Sequence, residues 1–368
     1  MHVLSQQMIQ KTRLTSCQMA TTRVVPAFFL AFCLLLLVSC SATPSRYEQE
    51  AFIKPAITWP LPPEPPRIGY KRSIERPEDI QAKKGFFRKV AAFLLGETAD
   101  RIIKPYGVTV DSAGRVIVAD TALKRVHVFD IKGQRYFWFG DARKLRFVSP
   151  IGVAVDEKDN IYISDSELKK VFIVNKAGRF VSAIGEGLER PTGIAVNKKE
   201  GRLYVVDTWK HDIKVYNLKG EPLFVIGGRG KEEGRFNYPT DISIDKNGKI
   251  YVTDSMNFRI QILDKDGGVV SMFGRHGDGS GDMARPKGVG VDGEGHIYVA
   301  DALFDVVQIF DEKGAHLLGF GGRGQGKGML WMPAGVFIDE GNRIYVADSY
   351  NRRVQVFEYI GEDIEGEE

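Results

Sequence analysis

The chain alternates between apolar and polar positions in short runs, and the runs come in sets of four. Residues 241–274 contain DISID, KIYVTD, RIQILD and GVVSMFG, each with a period of two. β-branched and aromatic residues fill the runs, and Gly, Asp and Asn bound them, so each run predicts a short strand. The set recurs along the chain. A Pro-x-Gly-Val-x-Val-Asp pattern starts at Pro105, Pro150, Pro191, Pro239, Pro286 and Pro333, with spacings of 45, 41, 48, 47 and 47. A second motif, Ile-Tyr-Val-x-Asp, ends at Asp120, Asp165, Asp207, Asp254, Asp301 and Asp348. Four strands in a repeat of this length predict a propeller blade, and six repeats predict an all-β, six-bladed β-propeller of four-stranded antiparallel blades.

The last repeat is short. After Val354-Gln355-Val356-Phe357 only EYIGEDIEGEE remains, which offers little for a fourth strand. An open ring would leave strand edges unpaired. The alternating segment Arg67–Ile74 therefore predicts a closing strand at the outside of the last blade. Between it and the first blade, KKGFFRKVAAFLLGE places Phe86, Phe87, Val90, Ala91 and Leu94 at helical spacing. That predicts a short amphipathic helix, either docked on the propeller or lying at a membrane surface.

The first forty residues break the pattern. They carry Lys11, Arg13 and Arg23 and no acid, followed by VVPAFFLAFCLLLLVSC. This is the layout of a secretory signal, and Leu37-Val38-Ser39-Cys40 resembles a bacterial lipobox, which implies lipidation at Cys40. Ser41 after the cysteine implies sorting to the outer membrane. Met19 is an alternative start that would shorten the leader. All three cysteines, Cys17, Cys33 and Cys40, lie at or before the cleavage site, so disulfides play no part in the exported fold. The expected organisation is 1–39 signal peptide, 40–66 Pro-rich tether, 67–103 closing strand and helix, 104–360 propeller and 361–368 acidic tail. Without the three leader cations, 48 basic residues face 47 acidic ones. That balance argues against a nucleic-acid partner.

The stretches PTDISIDKNGKIYVTDSMNFRIQIL and PAGVFIDEGNRIYVADSYNRRVQVF, with linkers such as GGRGKEEGRF, resemble the NHL-repeat family of six-bladed propellers. The resemblance covers residues 104–358, about 70% of the chain. It implies the fold. It implies function weakly, since members include enzymes, protein- and RNA-binding modules and sensors.

Repeated residues serve what every blade needs. Asp111, Asp156, Asp245, Asp292 and Asp339 precede tight turns and read as turn-formers, as do Asp254 and its five counterparts. The residues that differ between blades are better candidates. The loops between second and third strands share one face with the long Gly-rich linkers between blades. That face is expected to gather Trp209, His211, Met256, Phe258, Arg259, Leu303, Phe304, Trp331, Tyr350 and Arg353. Aromatic, Met and Arg side chains together make a binding composition. The alternative is that the aromatics cover neighbouring blades and the arginines pair with loop acids. Asp241 stands where five blades have Gly, at the mouth of the central channel. It would bind a cation or an Arg, or cap its own backbone.

The resemblance also raises a rival reading, a metal-dependent lyase or hydrolase of amidating-lyase or lactonase type. His127, His211, His276, His296 and His316 fall in different strand and loop classes, too few on one face for a catalytic zinc. A Ca²⁺ site built on Asp212, Asp241 or Asp305 at the channel mouth is the remaining metal option. The expected protein is a monomeric scaffold without a cofactor. It is tethered in the bacterial cell envelope and binds an envelope protein, peptide or polymer.

Overall fold

Six antiparallel sheets stand around one axis in the computed structural model, which describes residues 57–82 and 100–360. Blade 4 shows the plan. Its strands run from the axis outward as Pro239–Ile244, Ile250–Asp254, Arg259–Leu263 and Val269–Phe273. The innermost strands of successive blades touch in a closed circuit, from Pro105–Val110 of blade 1 round to Pro333–Ile338 of blade 6 and back. The last five residues of every second strand are buried, because both faces meet neighbouring blades. This accounts for Ile-Tyr-Val-x-Asp reading as a continuous apolar run rather than a strict alternation.

The hairpin turns follow the sequence. Asp245 Oδ1 accepts the N–H groups of Asn247 and Lys249 at 2.8 and 2.9 Å, and Gly248 supplies the positive φ of 88°. Asp111, Asp156, Asp292 and Asp339 repeat this geometry.

The closing strand is present. Ile68–Ile74 pairs antiparallel with Arg353–Tyr359 and becomes the fourth strand of blade 6. Its two ends do different work. Ile74 packs in the core shared by blades 6 and 1, and Ile68 in the core shared by blades 5 and 6. A fifth strand, Thr58–Trp59, adds outside it, and the Trp59 ring sits 5.8 Å from Phe357 and 6.0 Å from Phe320. Within the Pro-rich stretch 40–66, Thr58 and Trp59 lie against blade 6, where Trp59 covers the Phe320 and Phe357 rings, and residues 61–66 are exposed. The expected helix at 83–97, the signal segment and the acidic tail lie outside the described residues.

Candidate functional site

The start of each innermost strand sits opposite the end of the second strand, as in the Pro239–Asp254 pairing. The loops after the second strands and the linkers between blades therefore share one face, here called the loop face. The buried carboxylate that ends each second strand joins them. Asp207 accepts N–H from Glu189 and Arg190, and Asp301 from Ala284 and Arg285, in the preceding linker. Asp301 also accepts N–H from Leu303 and Phe304 in the following loop. The repeated Asp thus closes its own turn and fastens the linker beside it. The sequence suggested the first role and not the second.

Arg259 and Arg353 depart from expectation. They are only 8% and 6% exposed and are engaged inside the fold. Arg259 Nε donates to Asp254 at 2.8 Å, while its other nitrogens donate to the carbonyls of Lys231, Glu232 and Arg235. Gln261 donates to Asp254 and to the Arg235 carbonyl. Blade 6 repeats the clip with Arg353, Gln355, Asp348 and the carbonyls of Gly326 and Met329. An arginine fits because its five donors satisfy carbonyls that a long loop would otherwise leave unpaired.

His211 is buried as well. Its Nδ1 accepts the Tyr238 N–H at 3.0 Å, so this nitrogen carries no proton. Desolvation, with Arg229 nearby, lowers its pKa. Asp305, the matching residue of blade 5, accepts the Met332 N–H at 2.6 Å. Asp212 is ion-paired with Lys214 at 3.1 Å. His296 pairs with Asp292 at a turn on the opposite face, and His127 is buried in blade 1 against Asp120 and Tyr136. The histidines do not converge. Among the described residues no group of three or more His, Cys, Asp or Glu side chains could hold a metal ion.

The aromatic and methionine residues behave differently. Trp209 is 55% exposed and Tyr350 49%, and Met256 and Leu303 are also exposed. Phe258 and Phe304 are half-buried. Phe258 packs edge-on to His276, with ring centroids 4.4 Å apart. Arg190 lies over Trp209 at 5.1 Å, and Trp331 packs against Tyr350 at 5.5 Å. The two faces contrast. Every exposed large apolar side chain that lies in a loop of the described propeller belongs to the loop face. The short turns of the opposite face contribute none, and the others lie on outermost strands or at Ile57 and Leu61.

The channel opens at the centre of the loop face. The glycine ring forms its waist. A Cβ at Gly288 would collide with the carbonyl of Ala334 in the next blade, which is why glycine recurs there. Asp241 replaces one of these glycines. Its carboxylate is half-buried in the channel and accepts the Val289 N–H of blade 5 at 3.2 Å. Desolvation raises its pKa to about 7, against the weaker opposing pull of the Val289 and Ile242 N–H groups. The folded protein therefore holds this proton more tightly than the unfolded chain. The contribution to stability is intact below about pH 4 and is lost as pH rises toward 7. Asp241→Asn is expected to leave stability unchanged near pH 4 and to raise it at pH 8, by at most about 4 kcal/mol. Urea titrations of both proteins at the two pH values measure this; equal midpoints at pH 8 would contradict it.

Just outside the waist, the residue after each blade's first proline rings the mouth. In blades 1, 4, 5 and 6 these are Tyr106, Thr240, Lys287 and Ala334. With Tyr238, Ser255, Met256 and Arg285, three of them line a cavity of about 340 Å³; Ala334 lines the deeper channel. Sequence reasoning missed this cavity, because Tyr106 and Lys287 lie far apart along the chain and ring closure brings them together.

Six four-stranded blades, closed by a strand from the N-terminal side, define a six-bladed β-propeller. Two of its repeats match the NHL-repeat model, at residues 236–263 and 330–357, and a 6-bladed beta-propeller family model matches 148–223. The protein brain tumor of Drosophila melanogaster is 28% identical over 137 residues, which cover 36% of this chain and 13% of that protein. Among solved structures, the virginiamycin B lyase of Staphylococcus aureus is similar, with a TM-score of 0.52 and 14% identity over 70% of this chain and 95% of that one. A gluconolactonase from Xanthomonas campestris has a TM-score of 0.54 and 15% identity, over 79% and 98% of the two chains. At these identities the solved structures share the fold with this chain.

Proposed function

We propose that this propeller is a recognition scaffold of the bacterial cell envelope, anchored through a lipid on Cys40, and that its loop face binds a protein or peptide. The observation that carries the reading is the asymmetry between faces. Exposed Trp209, Met256, Leu303 and Tyr350 sit among arginines on one face, and the opposite turns expose no large apolar side chain. Such mixtures supply the anchoring residues of interfaces. Arg275 and Arg323 are both more than three-quarters exposed although each lies beside a loop acid, Asp282 at 2.6 Å and Asp305 at 4.0 Å, and their outer guanidinium nitrogens suit an acidic partner.

Two results are expected. Replacing Trp209 and Tyr350 together with Ala abolishes copurification of the envelope partner without lowering the thermal midpoint by more than about 2 °C, since exposed positions contribute little to stability. Cys40→Ala moves the protein from the membrane to the soluble fraction. An unchanged set of copurifying proteins, or unchanged fractionation, would refute the respective part.

The second reading is a lyase or hydrolase with its site at the channel mouth. It is favoured by the perturbed Lys287 at the mouth and Asp241 at the waist below it, since shifted groups in a cleft mark candidate sites. Stoichiometric metal in the purified protein would move the weight to this reading.

A further inference from the structure

Lys287 is a half-buried cation at the mouth of the channel, and among the described residues no carboxylate lies within ion-pair distance of it. Burial and two nearby cations oppose its charge, and one aromatic ring supports it. Desolvation lowers its pKa to about 8, helped by repulsion from Arg285 and Lys104. Its amine lies 5.4 Å from the centre of the Tyr106 ring. Tyr106 in turn is held up to about 12 by burial and by Asp241, with Arg285 and Arg190 pulling the other way. Asp241 itself is engaged by the Val289 N–H.

The backbone that carries the lysine is held firmly in place. The Thr240 hydroxyl donates to the Lys287 carbonyl at 2.8 Å, and the Ser255 hydroxyl donates to the Pro286 carbonyl at 2.7 Å. Two hydroxyls from blade 4 thus fix the backbone that carries Lys287. A partly dry cation on a fixed backbone, with an aromatic ring beside it but no counter-ion, is costly to the fold, and an arriving anion offsets that cost. The cavity beside it is small and has apolar walls in Tyr238 and Met256.

We propose that this cavity binds a carboxylate carried next to a small apolar group. The carboxylate takes charge-assisted hydrogen bonds from Lys287 and Arg285, and the apolar group lies against Tyr238 and Met256. A volume near 340 Å³ suits one residue-sized moiety and stands at the small end of ligand sites. The chemistry is shared by the C-terminal residue of a peptide and by a free N-acylated amino acid. The site requires Lys287 and Arg285 rather than Trp209 and Tyr350, so it stands or falls separately from the partner-docking surface.

The test uses the full mature chain in detergent, with N-acetyl-L-alanine and its amide as probes, followed by calorimetry or ligand-observed NMR. At pH 7 the acid is expected to bind at least tenfold tighter than the amide. The preference is lost in Lys287→Met and retained in Lys287→Arg. Gly-Ala-Ala with a free C-terminus separates the sources: tighter binding than N-acetylalanine assigns a chain terminus, and equal binding assigns a free small acid. A wild-type protein that treats acid and amide alike, or a Lys287→Met protein that still prefers the acid, would overturn the proposal. Should Lys287→Met fail to fold, wild-type protein decides. Acetylation of Lys287 at pH 8, followed by mass spectrometry, should be blocked by N-acetylalanine and not by its amide; no protection would overturn the site.

Discussion

Replacing Ile68 and Ile74 together with Ala is expected to unfold most of the protein at 37 °C. Both side chains are fully buried, and they serve two different inter-blade cores at opposite ends of the closing strand. Each truncation should cost about 2–5 kcal/mol. Six residues of strand separate them by roughly 20 Å, far enough for the two costs to add. The sum approaches the whole stability of an ordinary domain, roughly 5–15 kcal/mol. Lys71→Ala is the control on the same strand. Its ion pair with Glu358 is exposed, and such pairs contribute about 1 kcal/mol or less. Urea midpoints for the three proteins check the expectation. A double variant with the urea midpoint of wild type would mean that the ring does not depend on its closing strand.

The second large effect comes from Arg259. Arg259→Met should destabilise the protein by about 3–5 kcal/mol, the usual cost of removing one partner of a buried ion pair. Asp254 would keep Asn257, Gln261 and the Asn237 N–H but lose its only arginine, and the Lys231, Glu232 and Arg235 carbonyls would lose their shared donor. The linker Gly228–Phe236 should then exchange its amide hydrogens faster, while blades 1 and 2 are unchanged. Trp209→Ala, on the same face, should do neither. This contrast separates loop-face residues that hold the fold from those free to contact a partner. An Arg259→Met protein with wild-type stability would place Arg259 in the second group.

The six-fold repeat made the architecture readable, because each blade states the same strands, turns and carboxylates. The closing strand was also readable, as a fourth strand missing at one end and a spare alternating run at the other. Thr58–Trp59 was not, because ITWPLPPEPP is dominated by proline and its one useful ring, Trp59, has no periodic neighbours. Arg259 and Arg353 were misread as surface because arginine is mostly exposed. A signal did exist. The Arg-x-Gln pattern of RIQIL and RVQVF occurs in the two blades that follow the long GGRG linkers, whose carbonyls those residues bind. Lys287 left no such trace, since a lysine beside a proline looks like any surface cation until the ring places Tyr106 and Arg285 around it.

The central claim is that the varying loop-face residues, and not the repeated carboxylates, meet a partner. A photo-crosslinking amino acid placed in turn at Trp209, Met256, Tyr350 and, on the opposite face, Asn247 tests it in intact envelopes. The account predicts the same crosslinked protein from the first three positions and none from Asn247. Equal capture from both faces, or capture from Asn247 alone, would contradict it.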